Sequence, residues 1–534
     1  MHLTIRDLFR ATFVILSVVT LISLAPVASV AAPAQVINIG NGGEPKDLDP
    51  HLVTGVPEQR ILQNLFEPLV GKDPKTLAPT PGVAESWKVS KDGKTYTFTL
   101  RKNAKWSNGE PLTAKDFVYA WTRLLTPATA AEYAQQGYYI VNGKEFNTGA
   151  LKDASKLGIK AKDDHTLELQ LVNPTPFFLS LLYHHSLYPV HKATIEKHGA
   201  RWTRPENMVS NGAFKLDKWE MNKVVSISVN PHYWDKANVK LTQANYFPVE
   251  KQDTEEKMFR SGELHVTNEV PLEKIPFWQK DTSGVYQQGP YLGTYFYWVN
   301  VKKSPVDTKL IRKALNLSFD RERIVKFVTR GGQLPATAFT PVGAGGFQPK
   351  AILPTNLSRL AEAKELLKKA GYPDGKGLPE IEILYNTSDG HKKIAEALQQ
   401  MWAENLGVKV KLFNQEWKVY LDSQRSHNFQ LSRAGWIGDY NDPNTFLDMF
   451  VSTSGLNHAQ FANPAYDKLI ADAAKELNAK KRLEIFQKAE DILLEELPVI
   501  PIYTYTRVYL KSKSVEGWYP NIEDIHPLKF VSLK

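Results

Sequence analysis

A strand–helix–strand pattern in the C-terminal third constrains this chain more than any other feature. Residues 380–384 read as a short strand. Residues 389–405 repeat apolar positions at helical spacing and end at Gly407, and 408–413 read as a second strand. A helix between two strands at this spacing is a crossover, so the strands should lie parallel in one sheet. Around this unit, Ser358 opens a helix to Ala370 that Gly371 and Pro373 stop, and 464–477 and 480–497 read as consecutive helices. Residues 499–505 read as a buried strand rich in aromatics. Nearer the N-terminus, 94–100 alternate polar and apolar residues as a half-buried strand after the turn at 91–93. Thr113 with Asp116 makes a capping box for a helix with Phe117, Val118, Trp121 and Leu124 on one face. Residues 163–165 are a turn into a strand at 166–172. Strands and helices alternate irregularly, which points to α/β or α+β domains, and 534 residues correspond to about three of them.

The chain contains no cysteine. That excludes a disulfide framework, a thiol nucleophile, a Cys-ligated metal site and a lipid anchor on an N-terminal cysteine. Arg6 and Arg10, an uncharged apolar run from Phe13 to Leu24 and a small-residue stretch at 25–32 have the order of a secretory signal, with cleavage expected near Ala31. Export without cysteine points to a periplasm, and to a freely diffusing protein. The formal charge of +9 is spread thinly, with no Lys/Arg block, so no nucleic-acid partner is expected. The chain has no HExxH, GxSxG or phosphate-loop motif. Residues 40–43 read as a turn, and Asp163-Asp164 as a solvated one. Ser388, Asp389 and His391 are too close in sequence to assemble a nucleophile–base–orienter line. His184, His185 and His191 lack a carboxylate at matching spacing and read as surface or packing residues. No enzyme activity, cofactor or metal is expected.

One segment stands out. Residues 433–443 bring Arg433, Gly435, Trp436, Asp439 and Tyr440 together: opposite charges, flat amphipathic walls, and a glycine that lets backbone approach a ligand. A binding loop and a packed loop held by an Arg433–Asp439 salt bridge both fit this composition. The segment resembles the oligopeptide-binding proteins of ATP-binding-cassette importers, the peptide/nickel (family 5) class of periplasmic solute-binding proteins. The likeness spans the mature chain. It includes Leu48-Asp49-Pro50-His51, Ala84-Glu85-Ser86-Trp87, the run from Leu100 to Ser107, Ser210-Asn211-Gly212-Ala213-Phe214, Arg260-Ser261-Gly262-Glu263, the run from Leu384 to Asp389, and Asn414-Gln415-Glu416-Trp417.

The resemblance implies an α/β, two-lobed, three-domain periplasmic binding protein (cluster C, type II) with its ligand buried between the lobes. Residues 1–31 would be the signal. Residues 32–66, 193–292 and 506–534 would form domain I, 67–192 an inserted domain II, and 293–505 domain III. It implies a monomeric receptor that binds short extended peptides and delivers them to the permease subunits of an importer. Murein peptides are the alternative cargo; a non-peptide cargo of the same family and a periplasmic peptidase are more distant readings. Asp439 matches the acid that meets the peptide ammonium, and Arg433 and His391 match charges that meet its carboxylate. Trp417, Trp436 and Tyr133 match pocket aromatics, and Gly435 a close backbone approach. Tyr291 and Thr294 lie on one strand like those lining the cleft, Tyr503 and Tyr505 on another, and Asn386 lies in a matching stretch. Where relatives carry further cations, this chain has Gln424 beside Arg425 and Thr329 beside Arg330. Gly293 and Ile437 replace a frequent cysteine pair. Thr54 replaces an acid at the cleft entrance, so peptides with an extra carboxylate are expected to suit this cleft.

Overall fold

The computed structural model describes residues 35–534; the signal reading of residues 1–31 lies outside them. In chain order the elements that build the site are β1 (Val36–Gly40), α1 (Val56–Leu65), β2 (Ala84–Val89), β3 (Thr95–Leu100) and α2 (Ala114–Leu125). Then come β4 (Ile159–Asp163), β5 (Thr166–Gln170), β6 (Phe214–Glu220), β7 (Val224–Val229), β8 (Gln243–Phe247) and β9 (Tyr286–Val299). The last are β10 (Leu334–Pro335), β11 (Ile381–Asn386), α3 (Asp389–Leu406), β12 (Val410–Gln415), α4 (Trp417–Arg425), β13 (Leu431–Ile437) and β14 (Val499–Leu510).

Local signals place the N-terminal elements. Thr113 and Asp116 close a capping box on α2, which buries Phe117, Trp121 and Leu124. The strands β2, β3, β5 and β4 form one antiparallel sheet. A second sheet has the order β1-β8-β7-β6, with β1 parallel to β8. One hydrophobic core joins both sheets, from Ile37 and Phe98 through Trp121 to Phe214 and Tyr246.

The third sheet has six strands, ordered β10-β14-β9-β13-β11-β12. Its crossover unit matches the sequence reading: β11 and β12 run parallel from Ile381↔Val410 to Asn386↔Gln415, and Gly407 ends α3 at φ 68°, a left-handed conformation that costs glycine no side-chain clash. The sheet is nevertheless mixed rather than parallel, because β9 pairs antiparallel with both β13 and β14. On β9, Phe296 and Trp298 face one apolar cluster, while Tyr295, Tyr297 and Val299 face another. Both faces of this central strand are covered, so it reads as a continuous apolar run without alternation. The helices at Pro464–Ala473 and Ala479–Glu496 pack against this half of the molecule. Strands β9 and β14 also continue together into the N-terminal half, pairing Tyr286↔Leu510 through Pro290↔Thr506, with an irregularity before Thr294↔Thr504. The fold is thus a two-lobed α/β arrangement in which two long strands cross from one lobe to the other. Among the described residues no helix is long and apolar enough to cross a membrane.

Candidate functional site

A cavity of about 220 Å³ lies where the lobes meet. The C-terminal half contributes Asn386, His391, Trp417, Arg433 and Gly435, and β9 and β14 add Tyr291 and Tyr505. The N-terminal half contributes the turn at 41–43, Thr54, Glu250 and Glu269. A side cavity of about 20 Å³ shares Tyr291 and Ile437 with it and reaches Asp439. That volume holds roughly one water or one ammonium group.

Strand β13 organises the site. It pairs with β9 along its whole length, from Leu431 to Ile437. It pairs with β11 only at Leu431 and Ser432, so its other edge is open from Arg433 onward. The Arg433 carbonyl accepts hydrogen bonds from Tyr420 and from Gln424 Nε2 (3.1 Å), so it faces away from β9. Main-chain groups alternate sides along an antiparallel strand. Gly435 and Ile437 therefore face the cavity as well. A Cβ on Gly435 would stand 2.4 Å from the Tyr505 hydroxyl oxygen, so only glycine leaves Tyr505 where it is.

The Arg433 guanidinium is buried, only 9% exposed. It donates to Asn386 Oδ1 (3.2 Å) and Tyr505 Oη (2.9 Å) and lies 4.7 Å from the centre of the Tyr295 ring. Its Nε has no partner, and among the described residues no carboxylate pairs with it. His391 stands beside it, with Nδ1 3.4 Å from Tyr295 Oη. Burial, then the Arg433 charge, pushes the imidazole well below its ordinary range, so it is neutral here. It offers a hydrogen bond rather than the charge the resemblance implied.

Asp439 lies two residues past the end of β13. Gln136 Nε2 donates to its Oδ2 (3.2 Å), and His184 Nε2 is 3.5 Å from its Oδ1. Burial, then the neighbouring Asp448, pushes the carboxyl well above its ordinary range, against the pull of Lys72. Lys72 itself pairs with Glu523 and donates to the Asp439 carbonyl at 3.3 Å. The Arg433–Asp439 salt bridge, one of the two readings of this segment, is not formed. Each charge points to its own end of the cavity.

The remaining expected residues pack around the site. Tyr133 and Trp436 pack against each other with tilted rings (6.2 Å between centres), and Tyr133 also packs on His184 (4.3 Å), beside Asp439; neither lines the main or the side cavity. Thr294 and Tyr503 do not line the cavity. Thr294 is fully buried and donates to the Phe339 carbonyl (2.7 Å), and Tyr503 stacks on Tyr295 (4.8 Å). The displaced cations do not enter either. Arg425 reaches across to the Ala130 carbonyl (3.0 Å), and Arg330 folds back on the Phe327 carbonyl (2.9 Å). Gln424 is a buried brace for β13, bonded to Tyr420, Ser432 and Arg433. Thr329 is buried too, bonded to Gln333. Ile437 fills the space against Gly293, its register partner. Ser388 caps α3, its Oγ accepting from the His391 main chain (3.4 Å), which accounts for the Ser-Asp-Gly-His run structurally. His185 bonds the Val53 carbonyl (2.9 Å) and His191 bonds Glu110 (2.8 Å), both as packing residues.

Sequence reasoning missed Gln136, His184 and Lys72 at the Asp439 end, and Glu250 and Glu269 on the opposite wall. They come from distant segments with no local signature. Contacts between the lobes shut the cavity. Trp417 Nε1 donates to Glu58 Oε1 (3.1 Å), Lys46 pairs with Asp422 (2.6 Å), and Phe177 stacks on Tyr440 (4.5 Å).

A buried cavity between two lobes, crossed by paired strands, defines a solute-binding protein. The chain belongs to the bacterial extracellular solute-binding proteins, family 5: the model described as "Bacterial extracellular solute-binding proteins, family 5 Middle" matches residues 78–458. It is 43% identical over 493 residues to the periplasmic oligopeptide-binding protein OppA of Salmonella typhimurium, covering 91% of this chain and 90% of that one. The structure of Haemophilus influenzae OppA in complex with RPPGFSPFR matches at a TM-score of 0.90 and 40% identity, covering 94% and 99%. The unliganded open form of a periplasmic murein tripeptide-binding protein, MppA, matches at only 0.63 although its identity is 39% and its coverage 94% and 98%. With identity nearly equal, the gap reflects lobe arrangement: this chain has the closed one.

Proposed function

We propose that this protein is the exported, periplasmic, freely diffusing receptor of a peptide ABC importer, a binder and not an enzyme. It closes on short extended peptides and presents them to permease subunits. The observation that carries this reading is the pair of buried ionisable side chains, each hydrogen-bonded but without a lasting counter-ion, flanking an open strand edge. Arg433 lacks an anion and Asp439 lacks a cation. A peptide supplies both, and its backbone can add to β13 as an extra strand. Asp439 is six residues from Arg433 along the chain, so the two positions are at most about 20 Å apart at ~3.3 Å per residue. That span admits a peptide of no more than about six residues with its amino end at Asp439 and its carboxyl end at Arg433, running antiparallel to β13. The crossing strands β9 and β14 act as the hinge, and domains I and II move against domain III. Ligand free energy drives closure only through stronger binding to the closed form. Similarity to OppA and MppA supports the cargo class.

Native mass spectrometry of the purified protein tests this. Bound masses that fragment into short peptides are the expected result. A co-purified sugar, haem or metal, or cleavage of an added peptide, would overturn it.

A further inference from the structure

The wall facing β13 has its own charge pattern. Glu250, just after β8, and Glu269 both line the main cavity. Glu269 accepts a hydrogen bond from the Gln252 amide. Between them Glu255 accepts from the main-chain N–H groups of Asn268 (2.7 Å) and Glu269 (3.2 Å), and burial lifts it to about 7. The nearby cations are committed elsewhere. Lys393 pairs with Glu273, and Lys274 with Asp253 and Glu256. Arg60 and Arg507 share Asp524. Among the described residues neither Glu250 nor Glu269 takes part in an ion pair.

Acids alone would mean only a solvated face. Here an independent observation shows that the same cavity awaits an occupant: Arg433, nine-tenths buried, has an unpartnered Nε and an unmatched charge in it. Arg433 and Tyr505, which are hydrogen-bonded to each other, line the main cavity together with Glu250 and Glu269, whereas Asp439 lines only the side cavity. The two acids therefore share the part of the site where the ligand carboxylate would sit.

Resting on the peptide reading above, we infer that Glu250 and Glu269 form a selectivity pocket for a cationic side chain, ammonium or guanidinium, on the peptide residue at or next to the carboxyl end. Such a side chain meets two carboxylates that take part in no ion pair among the described residues, in a cavity whose arginines Arg60 and Arg507 are held by Asp524 and which screens charge less than bulk water does. The preference expected from Thr54 alone is reversed. Thr54 lines the same cavity, but the acids that replace its lost charge stand on Glu250 and Glu269, and they repel an extra carboxylate.

Calorimetry on the purified protein, freed of co-purified ligand, decides this with four tripeptides: Ala-Ala-Lys, Lys-Ala-Ala, Ala-Ala-Ala and Ala-Ala-Glu. Ala-Ala-Lys should bind about tenfold tighter than Ala-Ala-Ala, equivalent to about 1.4 kcal/mol. Lys-Ala-Ala should gain little, and Ala-Ala-Glu should bind weakest. In the E250Q/E269Q variant the ratio of Ala-Ala-Lys to Ala-Ala-Ala affinity should fall toward one. Equal affinities for all four on the unaltered protein overturn the pocket while leaving the peptide reading intact, and so does a ratio that survives both substitutions. If neither these four nor the same four sequences lengthened by three alanines at the amino end bind, the peptide reading falls and the pocket with it. The four affinities of the unaltered protein decide the matter even if the variant does not fold.

Discussion

The two ends of the cavity solve the same physical problem differently. Arg433 is a buried cation kept charged without an anion. Its guanidinium lies over the Tyr295 ring and donates to Asn386 and Tyr505, so aromatic faces and neutral oxygens replace water around a delocalised charge. Asp439 is a buried anion without a cation, and it responds in the other way: burial and Asp448 push its proton affinity up, so the free site tends toward neutrality. A guanidinium cannot discard its charge, but a carboxyl can. One end therefore holds its charge ready before ligand arrives, whereas the other becomes fully charged only when an ammonium does.

The difference between the ends is tested most sharply at Arg433. The R433M variant keeps an apolar side chain of similar length but leaves the peptide carboxylate buried without a cation. Removing one partner of such a pair costs about 2–5 kcal/mol, so peptide affinity should fall at least about thirtyfold by calorimetry. A loss of less than threefold would show that another cation takes the carboxylate. Asp439→Asn should cost less, about tenfold. The amide still offers an oxygen to the ammonium, and part of the charge is already absent from the free state. A loss in D439N as large as in R433M would remove the asymmetry between the two ends.

The unequal legibility of these parts has a physical basis. The crossover β11–α3–β12 is written in adjacent residues, and so is the α2 capping box, so periodicity and capping signals locate them closely. The central pairing of β9 with β13 and β14 joins segments well over a hundred residues apart, and nothing local states that it is antiparallel. The crossover alone therefore suggests a parallel sheet where the fold has a mixed one. The site divides in the same way. Residues 433–439 are readable because one short segment carries opposite charges, glycine and aromatics. Thr294 is harder to place because strand side chains alternate faces, so a shift of one residue moves a side chain to the other side. Arg425 fails as a substitute for Gln424 because neighbours on a helix point about 100° apart. Gln136, His184, Glu250 and Glu269 arrive from other segments of the chain, and only the closed fold brings them to the cavity.

The smallest effect concerns pH and separates the two ends directly. Arg433 does not titrate in any working range, so R433M removes no titrating group, and whatever change it makes to the pH profile of affinity should come through His391, whose imidazole its charge no longer depresses. Asp439 should titrate, and the sign follows from its shift. Its free-state proton affinity is raised above the ordinary carboxylate range, while a bound ammonium favours the ionised form and lowers it. Binding therefore releases a proton wherever free Asp439 is protonated, and affinity declines as pH falls through its free-state value. The other groups facing it are Lys72, already paired with Glu523, Asp448, which burial lifts to about 7, and His184, which burial keeps neutral. His391 contributes with the opposite sign, because a ligand carboxylate would favour its protonation. The clean measurement is consequently the ratio of wild-type to D439N affinity at pH 7.5 and pH 5.5, in which the His391 contribution cancels. The ratio should shrink toward the lower pH. A constant ratio would mean that Asp439 is as permanently charged as Arg433, and that the two ends of the cavity are held ready by the same means.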